Sequence, residues 1–220
     1  MFFLGNSVNL ATYDNLPLPP VSFVRNFAFP IACCERRMSD KCDFLFLAST
    51  GQVHKGLDLL LDIFRRHPEW TLHVCSNFHE ETDFCRAFRR DLFFRPNIIA
   101  HGFTSLESSR FSRIAQSCSH LILPSCSEAN AGSVLCGMAA GLIPIVSEMC
   151  GFEPDEVEHL ANCDIDTIER HLRAAVELDG ASRLEKSDRS RAIIRARYTR
   201  EAFVRSLNDA FDLFFARLDP

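Results

Sequence analysis

Basic residues are not in surplus: 24 lysines and arginines face 29 aspartates and glutamates, for a net charge of −5. Such a chain is not built to wrap phosphate backbones, so no nucleic-acid partner is expected. No apolar run approaches the ~20 residues needed to cross a bilayer, so no transmembrane segment is expected either. The amino terminus lacks a basic stretch and turns polar by Asn6, which argues against a secretory leader. No Cys-x2-Cys pair occurs among the 10 cysteines, and Cys33 and Cys34 are adjacent. That spacing does not suit zinc, and a chain of this size with no expected leader does not read as a disulfide framework, so reduced thiols in a cytoplasmic setting, with no metal site, are the expectation. No internal repeat is evident. Disorder and fibrous structure are excluded by composition, since 47% of the residues are hydrophobic and 24% charged.

What remains is a globular chain of 220 residues. Residues 1–42 stand apart, because Pro17, Pro19, Pro20 and Pro30 break any long element. Phe23, Phe27 and Phe29 are too apolar for a free linker, so this stretch reads as an arm with one short strand packed on a neighbour.

From Asp43 the pattern becomes regular. Phe44 to Ser49 is a continuous apolar run, as in a strand buried on both faces. Leu57, Leu60, Leu61 and Phe64 follow at helical spacing. Further strands are expected at 71–75, 97–100, 121–124 and 142–146, with a sixth edge strand within 158–162. The intervening helices include one over 80–93, from Phe84, Phe88 and Leu92 at four-residue intervals, and a compact one over 133–140. Strict alternation with short loops predicts an α/β fold, a Rossmann-like parallel sheet with helices on both faces. A carboxyl-terminal helical extension is expected over 165–178, 182–197 and 200–218. The last helix carries an aromatic stripe of Phe203, Phe211, Phe214 and Phe215. Arm and stripe either pack on each other or cover a surface meant for an absent domain. The expected organisation is an arm at 1–42, a ligand-binding domain at 43–180 and terminal helices at 181–220.

Ligands of open parallel sheets bind outside the carboxyl ends of the strands. Three loops there have unusual compositions. Ser49 to Gly56 supplies small residues and then Lys55 at a helix start, where the helix dipole already favours an anion. Its glycine spacing is not that of a Walker loop, and a lysine at a helix start is, taken alone, more often a solvated surface charge. Pro124 to Ser133 carries Glu128 between a strand end and a helix opening Gly132-Ser133, whose first N–H groups are free for a phosphate. Glu128 serves there as an acceptor for ligand hydroxyls or as a helix cap. The third loop, His101-Gly102-Phe103-Thr104, is an open backbone or simply a turn.

These segments together resemble a family. Lys55-Gly56, His101-Gly102-Phe103, Pro124-Ser125-x-x-Glu128-x-x-x-Gly132 and Met138-Ala139-Ala140-Gly141-x-x-Pro144-x-Val146 are similar to the carboxyl-terminal, donor-binding domain of family 4 retaining glycosyltransferases of the GT-B fold. Val24-Arg25-Asn26-Phe27 is similar to the segment leading out of the other domain. The resemblance implies a nucleotide-sugar donor and transfer with retention. It makes Lys55 and Glu128 the catalytic pair, Lys55 on the diphosphate and Glu128 on the donor sugar. It places the N–H groups of Gly132 and Ser133 on the same diphosphate and the backbone around Phe103 at the base edge. Gly51, His54 and Ser127 complete the expected donor contacts. No cofactor or metal is implied, since the cation and the helix terminus stabilise the leaving diphosphate.

Two positions depart from the family pattern. Cys136 stands where a second glutamate, a ribose contact, is usual, and Ser49 stands where an arginine is frequent. A full acceptor domain is also not expected within these 220 residues, since two such domains need about 350–400 residues. Three readings follow: the donor-binding half of a glycosyltransferase, as a fragment or completed by another chain; a degenerate module that binds a sugar nucleotide or a partner without turnover; and a nonhydrolysing sugar-nucleotide epimerase, which shares the two-domain architecture.

Overall fold

The computed structural model describes residues 1–32 and 42–216. Cys33, Cys34 and the polar stretch to Lys41 lie outside the described residues, as does the end of the last helix expected at 218.

The main body is one six-stranded sheet, all parallel, built from β3 (Asp43–Leu47), β4 (Leu72–Cys75), β5 (Ile98–Ala100), β6 (Cys118–Leu123), β7 (Ile143–Ser147) and β8 (Glu158–Leu160). The spatial order is β5-β4-β3-β6-β7-β8. The chain therefore starts in the middle, winds outward one way, returns, and winds the other way. This doubly wound topology has its switch point between β3 and β6, whose carboxyl ends diverge to leave a crevice. Helices cover both faces, so the central strands have no solvent side. Phe44, Leu45 and Phe46 are fully buried, and all of β6 is buried.

The first crossover helix, α2 (Leu57–Arg66), shows how local sequence sets the packing. Leu57, Leu60, Leu61 and Phe64 are buried against the sheet. Asp58 sits in its first turn and Arg65 and Arg66 in its last, each complementing the helix dipole. Between β4 and β5 the single helix expected over 80–93 is instead a 3-10 turn at Phe78–Glu80 followed by α3 (Thr82–Ala87) and α4 (Arg89–Phe94). The break falls at Phe88, with φ −103° and ψ 21°. Its ring lies 4.6 Å from that of Phe84. Both stay on the core side, which is why the four-residue spacing persists through the break.

The remaining crossovers are α5 (Ser109–Ser117) and α6 (Gly132–Ala139), followed by α7 (Ile165–Glu177), α8 (Gly180–Arg197) and α9 (Arg200–Phe215). The junction of α8 and α9 is tied to the main body by Tyr198, whose hydroxyl donates to Glu156 at 2.6 Å, and by Arg197, paired with Asp155 and Glu156 at 2.8 and 2.9 Å.

The amino-terminal arm holds more structure than one strand. β1 (Phe2–Leu4) and β2 (Ser22–Val24) pair in parallel around α1 (Ser7–Ala11). The aromatic stripe of α9 lies on this unit. Phe2 sits 4.9 Å from Phe211, and Phe27 sits 5.2 Å from Phe203. Arm and last helix thus pack on each other, yet Phe2, Phe23, Phe214 and Phe215 remain exposed. No helix among the described residues is long and apolar enough to cross a membrane.

Candidate nucleotide-sugar site at the switch point

The loops after β3 and β6 meet over the crevice. The β3–α2 loop is wound tightly by its own backbone: Lys55 N–H donates to Gly51 O and Leu57 N–H to Gln52 O, both at 2.9 Å. Its outer side is held by Glu81. That carboxylate accepts from Gly51 N–H at 2.6 Å, from Gln52 N–H at 3.1 Å and from Gln52 Nε2 at 3.1 Å. The amide donors of Gly51 and Gln52 are therefore already bound to an internal anion, and Gly51 faces Glu81 rather than the crevice. The loop ends at Gly56, in the left-handed region at φ 74°, immediately before α2. A Cβ there would stand 2.6 Å from the Pro124 carbonyl oxygen, so only glycine lets the two loops approach this closely.

Across the crevice, Glu128 N–H donates to Met149 O and Ala131 N–H to Cys150 O, both at 3.1 Å, which fastens the β6–α6 loop to the end of β7. The helix that follows starts without a side-chain cap on Ala131. The N–H groups of its first turn, at Gly132 and Ser133, are thus available for an anion.

Lys55 and Glu128 form an ion pair across the two loops, with side chains only 13% and 18% exposed. Ser125 Oγ also donates to Glu128 Oε1 at 3.4 Å. The pair sits in a cavity of about 380 Å³ between β3, β4 and α6. This is within the size range of small-molecule sites. Of the residues marked by sequence, Ser49, Lys55, Phe103, Glu128, Gly132, Ser133 and Cys136 line it together. Gly51, His54 and Ser127 are not in its wall. His54 turns to Cys126, with Nδ1 3.5 Å from Sγ, and its carbonyl accepts from Cys126 N–H at 3.0 Å. Phe103 is 71% exposed and stands at the mouth.

Sequence reasoning missed several wall residues, among them Phe29, Asn77 and Leu106, whereas Thr104 belongs to the third loop it had marked. Phe29 comes from the arm. Its ring lies over the start of α6, 3.8 Å from where a Cβ on Gly132 would stand. Its segment is held by Ala32 N–H donating to Leu106 O at 3.0 Å. Cys136 lies beneath, 1% exposed. Burial pushes its thiol up, and a hydrogen bond from the Phe29 backbone offsets this only in part, so it is neutral. Cys75, on the opposite wall, is pushed up to about 11 by burial. Among the cavity-lining residues the only full charges are therefore those of Lys55 and Glu128.

No protein-family model matches the chain, and no curated protein matches it in sequence. Solved structures do match. TarM of S. aureus, in a structure with UDP, superposes with a TM-score of 0.72 over 96% of this chain at 13% identity. HepE of Anabaena, in complex with UDP and glucose, gives 0.75 over 96% at 12% identity. The carboxyl-terminal domain of the group 1 glycosyltransferase LpcC of Francisella tularensis gives 0.57 over 90% at 12% identity. The chain spans 43% of TarM and 62% of HepE, about half of each, but 96% of the isolated LpcC domain. The fold is that of the carboxyl-terminal half of a GT-B glycosyltransferase.

Proposed function

We propose that this chain is the donor-binding half of a retaining glycosyltransferase, taking a nucleoside-diphosphate sugar in the crevice between β3 and β6. The observation that carries the reading is the meeting of Lys55, Glu128 and the uncapped start of α6 in one cavity at the switch point. In that reading the Lys55–Glu128 pair keeps two half-buried charges satisfied until the donor arrives. A bare buried charge would cost several kcal/mol. The diphosphate then takes Lys55 and the N–H groups of Gly132 and Ser133, and Glu128 is released to accept from sugar hydroxyls. As the glycosidic bond breaks, negative charge grows on the diphosphate, where a fixed cation and helix-terminal donors are most effective. The arm at 1–42 and α9 belong to the junction with an acceptor-binding half, consistent with the exposed aromatics on both.

The second reading is a binding module without turnover. It is favoured by the neutral residues at Ser49 and Cys136, which leave Lys55 as the only cation among the residues lining the cavity. A thermal-shift panel of nucleoside diphosphates, nucleotide sugars and nucleosides separates the readings from no binding at all, because a ligand of the native state raises its apparent stability. Donor binding predicts a rise with a nucleotide sugar larger than with its nucleoside. Equal, null shifts across the panel would remove the donor site. Sugar transfer on addition of an acceptor-binding half then distinguishes enzyme from module.

A further inference from the structure

The arm reaches the site through one side chain. Asn9, on α1, is buried. Its Nδ2 donates to the Glu128 carbonyl at 3.0 Å and to the Met149 carbonyl at 2.9 Å, and its Oδ1 accepts from Asn6 N–H at 3.1 Å. Both amide hydrogens are thus spent on backbone carbonyls, one within the β6–α6 loop at Glu128 itself and one in the turn after β7 at Met149. Glu128 N–H closes the same ring by donating to Met149 O.

The socket is built for this amide. Gly151 has φ +77°, and a Cβ there would stand 2.7 Å from Asn9 Oδ1 and 2.8 Å from Ala129 O. Gly5 has φ +137°, and a Cβ there would stand 2.8 Å from the same Oδ1. The amide therefore slots between two positions at which any side chain would collide with it. Neighbouring asparagines extend the seam. Asn6 Nδ2 donates to Phe152 O at 3.1 Å, and Asn26 Nδ2 to Asn130 O at 2.8 Å.

We propose that Asn9 is a positioning residue for Glu128, acting through the backbone of the β6–α6 loop. The inference rests on the reading of Glu128 as a donor-sugar contact. Asn9 lies 119 residues before Glu128. Its bonds exist only when the arm is docked, so docking of the arm and placement of Glu128 are one event. An amide is suited to this role because it presents two donors in a fixed plane to two carbonyls. A leucine or alanine would leave both carbonyls without that partner.

The test is native-state amide hydrogen exchange on the full chain, comparing wild type with Asn9→Ala and Asn9→Asp. The second variant keeps the shape but turns a carboxylate toward two carbonyls. Loss of the two bonds is expected to speed exchange of the Glu128 and Ala131 amides by about tenfold or more. The amides of Phe46 and Val74 in the central strands are expected to keep their rates. In Asn9→Asp the ratio of loop to core rates is expected to fall back on acidification, when the protonated acid regains one donor. Loop amides at wild-type rates, or loop and core changing in the same proportion, would overturn the proposal. In parallel, UDP-glucose affinity is measured in Asn9→Ala with and without Glu128→Gln. An Asn9 effect that vanishes in the Glu128→Gln background supports action through Glu128, and one that persists in full contradicts it. Failure of wild type to bind UDP-glucose would count against the donor reading alone, since the exchange measurement reports on Asn9 without ligand.

Discussion

Gly56 and Pro124 are in such close contact that a single added carbon on Gly56 would lie 2.6 Å from the Pro124 carbonyl oxygen and 2.7 Å from its Cγ. The contact joins the last residue before α2 to the first after β6, and it sets the separation of Lys55 from Glu128. Gly56→Ala combines a left-handed backbone with a backbone collision. It is expected to cost roughly 1–3 kcal/mol in urea unfolding. A loss below about 0.5 kcal/mol, the range of neutral surface changes, would mean that the loops are not held together here.

The sheet was legible from sequence for a simple reason. Strands covered on both faces must be apolar throughout, and Phe44 to Leu47 and Leu121 to Leu123 are. The cavity was legible too, because the topology brings the loops after β3 and β6 together whatever their detailed shape. What was not legible depends on contacts between residues distant in sequence. Glu81 lies 30 residues after Gly51, and no spacing rule connects them. Phe29 reads as apolar arm, and only the fold lays it over α6. Phe88 fits a helical stripe, yet the stripe survives a broken helix, so periodicity could not report the break.

Cys136 is where sequence pattern and packing pull apart. The family resemblance favours Cys136→Glu as a gain of a ribose contact. In the structure the thiol is buried in a cavity wall it shares with Phe29, whose backbone hydrogen-bonds it. A carboxylate there loses hydration and displaces the ring, so Cys136→Glu alone is expected to lower stability by roughly 1–3 kcal/mol. Adding Phe29→Ala should recover part of that loss and open the ribose side of the cavity. Calorimetric titration with UDP is then expected to show tighter binding for the double variant than for Cys136→Glu alone. Equal affinities would detach Cys136 from the nucleotide.

His73 and His101 form a pair with Nδ1 2.9 Å from Nε2, so one ring must offer a lone pair to the other. Burial, then the neighbouring His73 and Arg110, hold His101 down at about 4, below its ordinary 6.5. The unfolded chain takes up this proton first. His101 therefore leaves stability unchanged above pH 6.5, lowers it as the pH falls from 6.5 toward about 4, and takes no more below that. Denaturant unfolding of wild type and His101→Gln across this window should show a shallower acid loss in the variant. The carboxylates contribute equally to both proteins, so parallel curves would contradict the assignment.

The central claim is that Lys55 exchanges Glu128 for a diphosphate. Calorimetric titration of UDP into wild type and Lys55→Ala tests it most directly. The account predicts that wild type binds and that the variant loses roughly 1.5–3 kcal/mol of affinity, the worth of a hydrogen bond to a charged group. Equal affinity in the two proteins would contradict it.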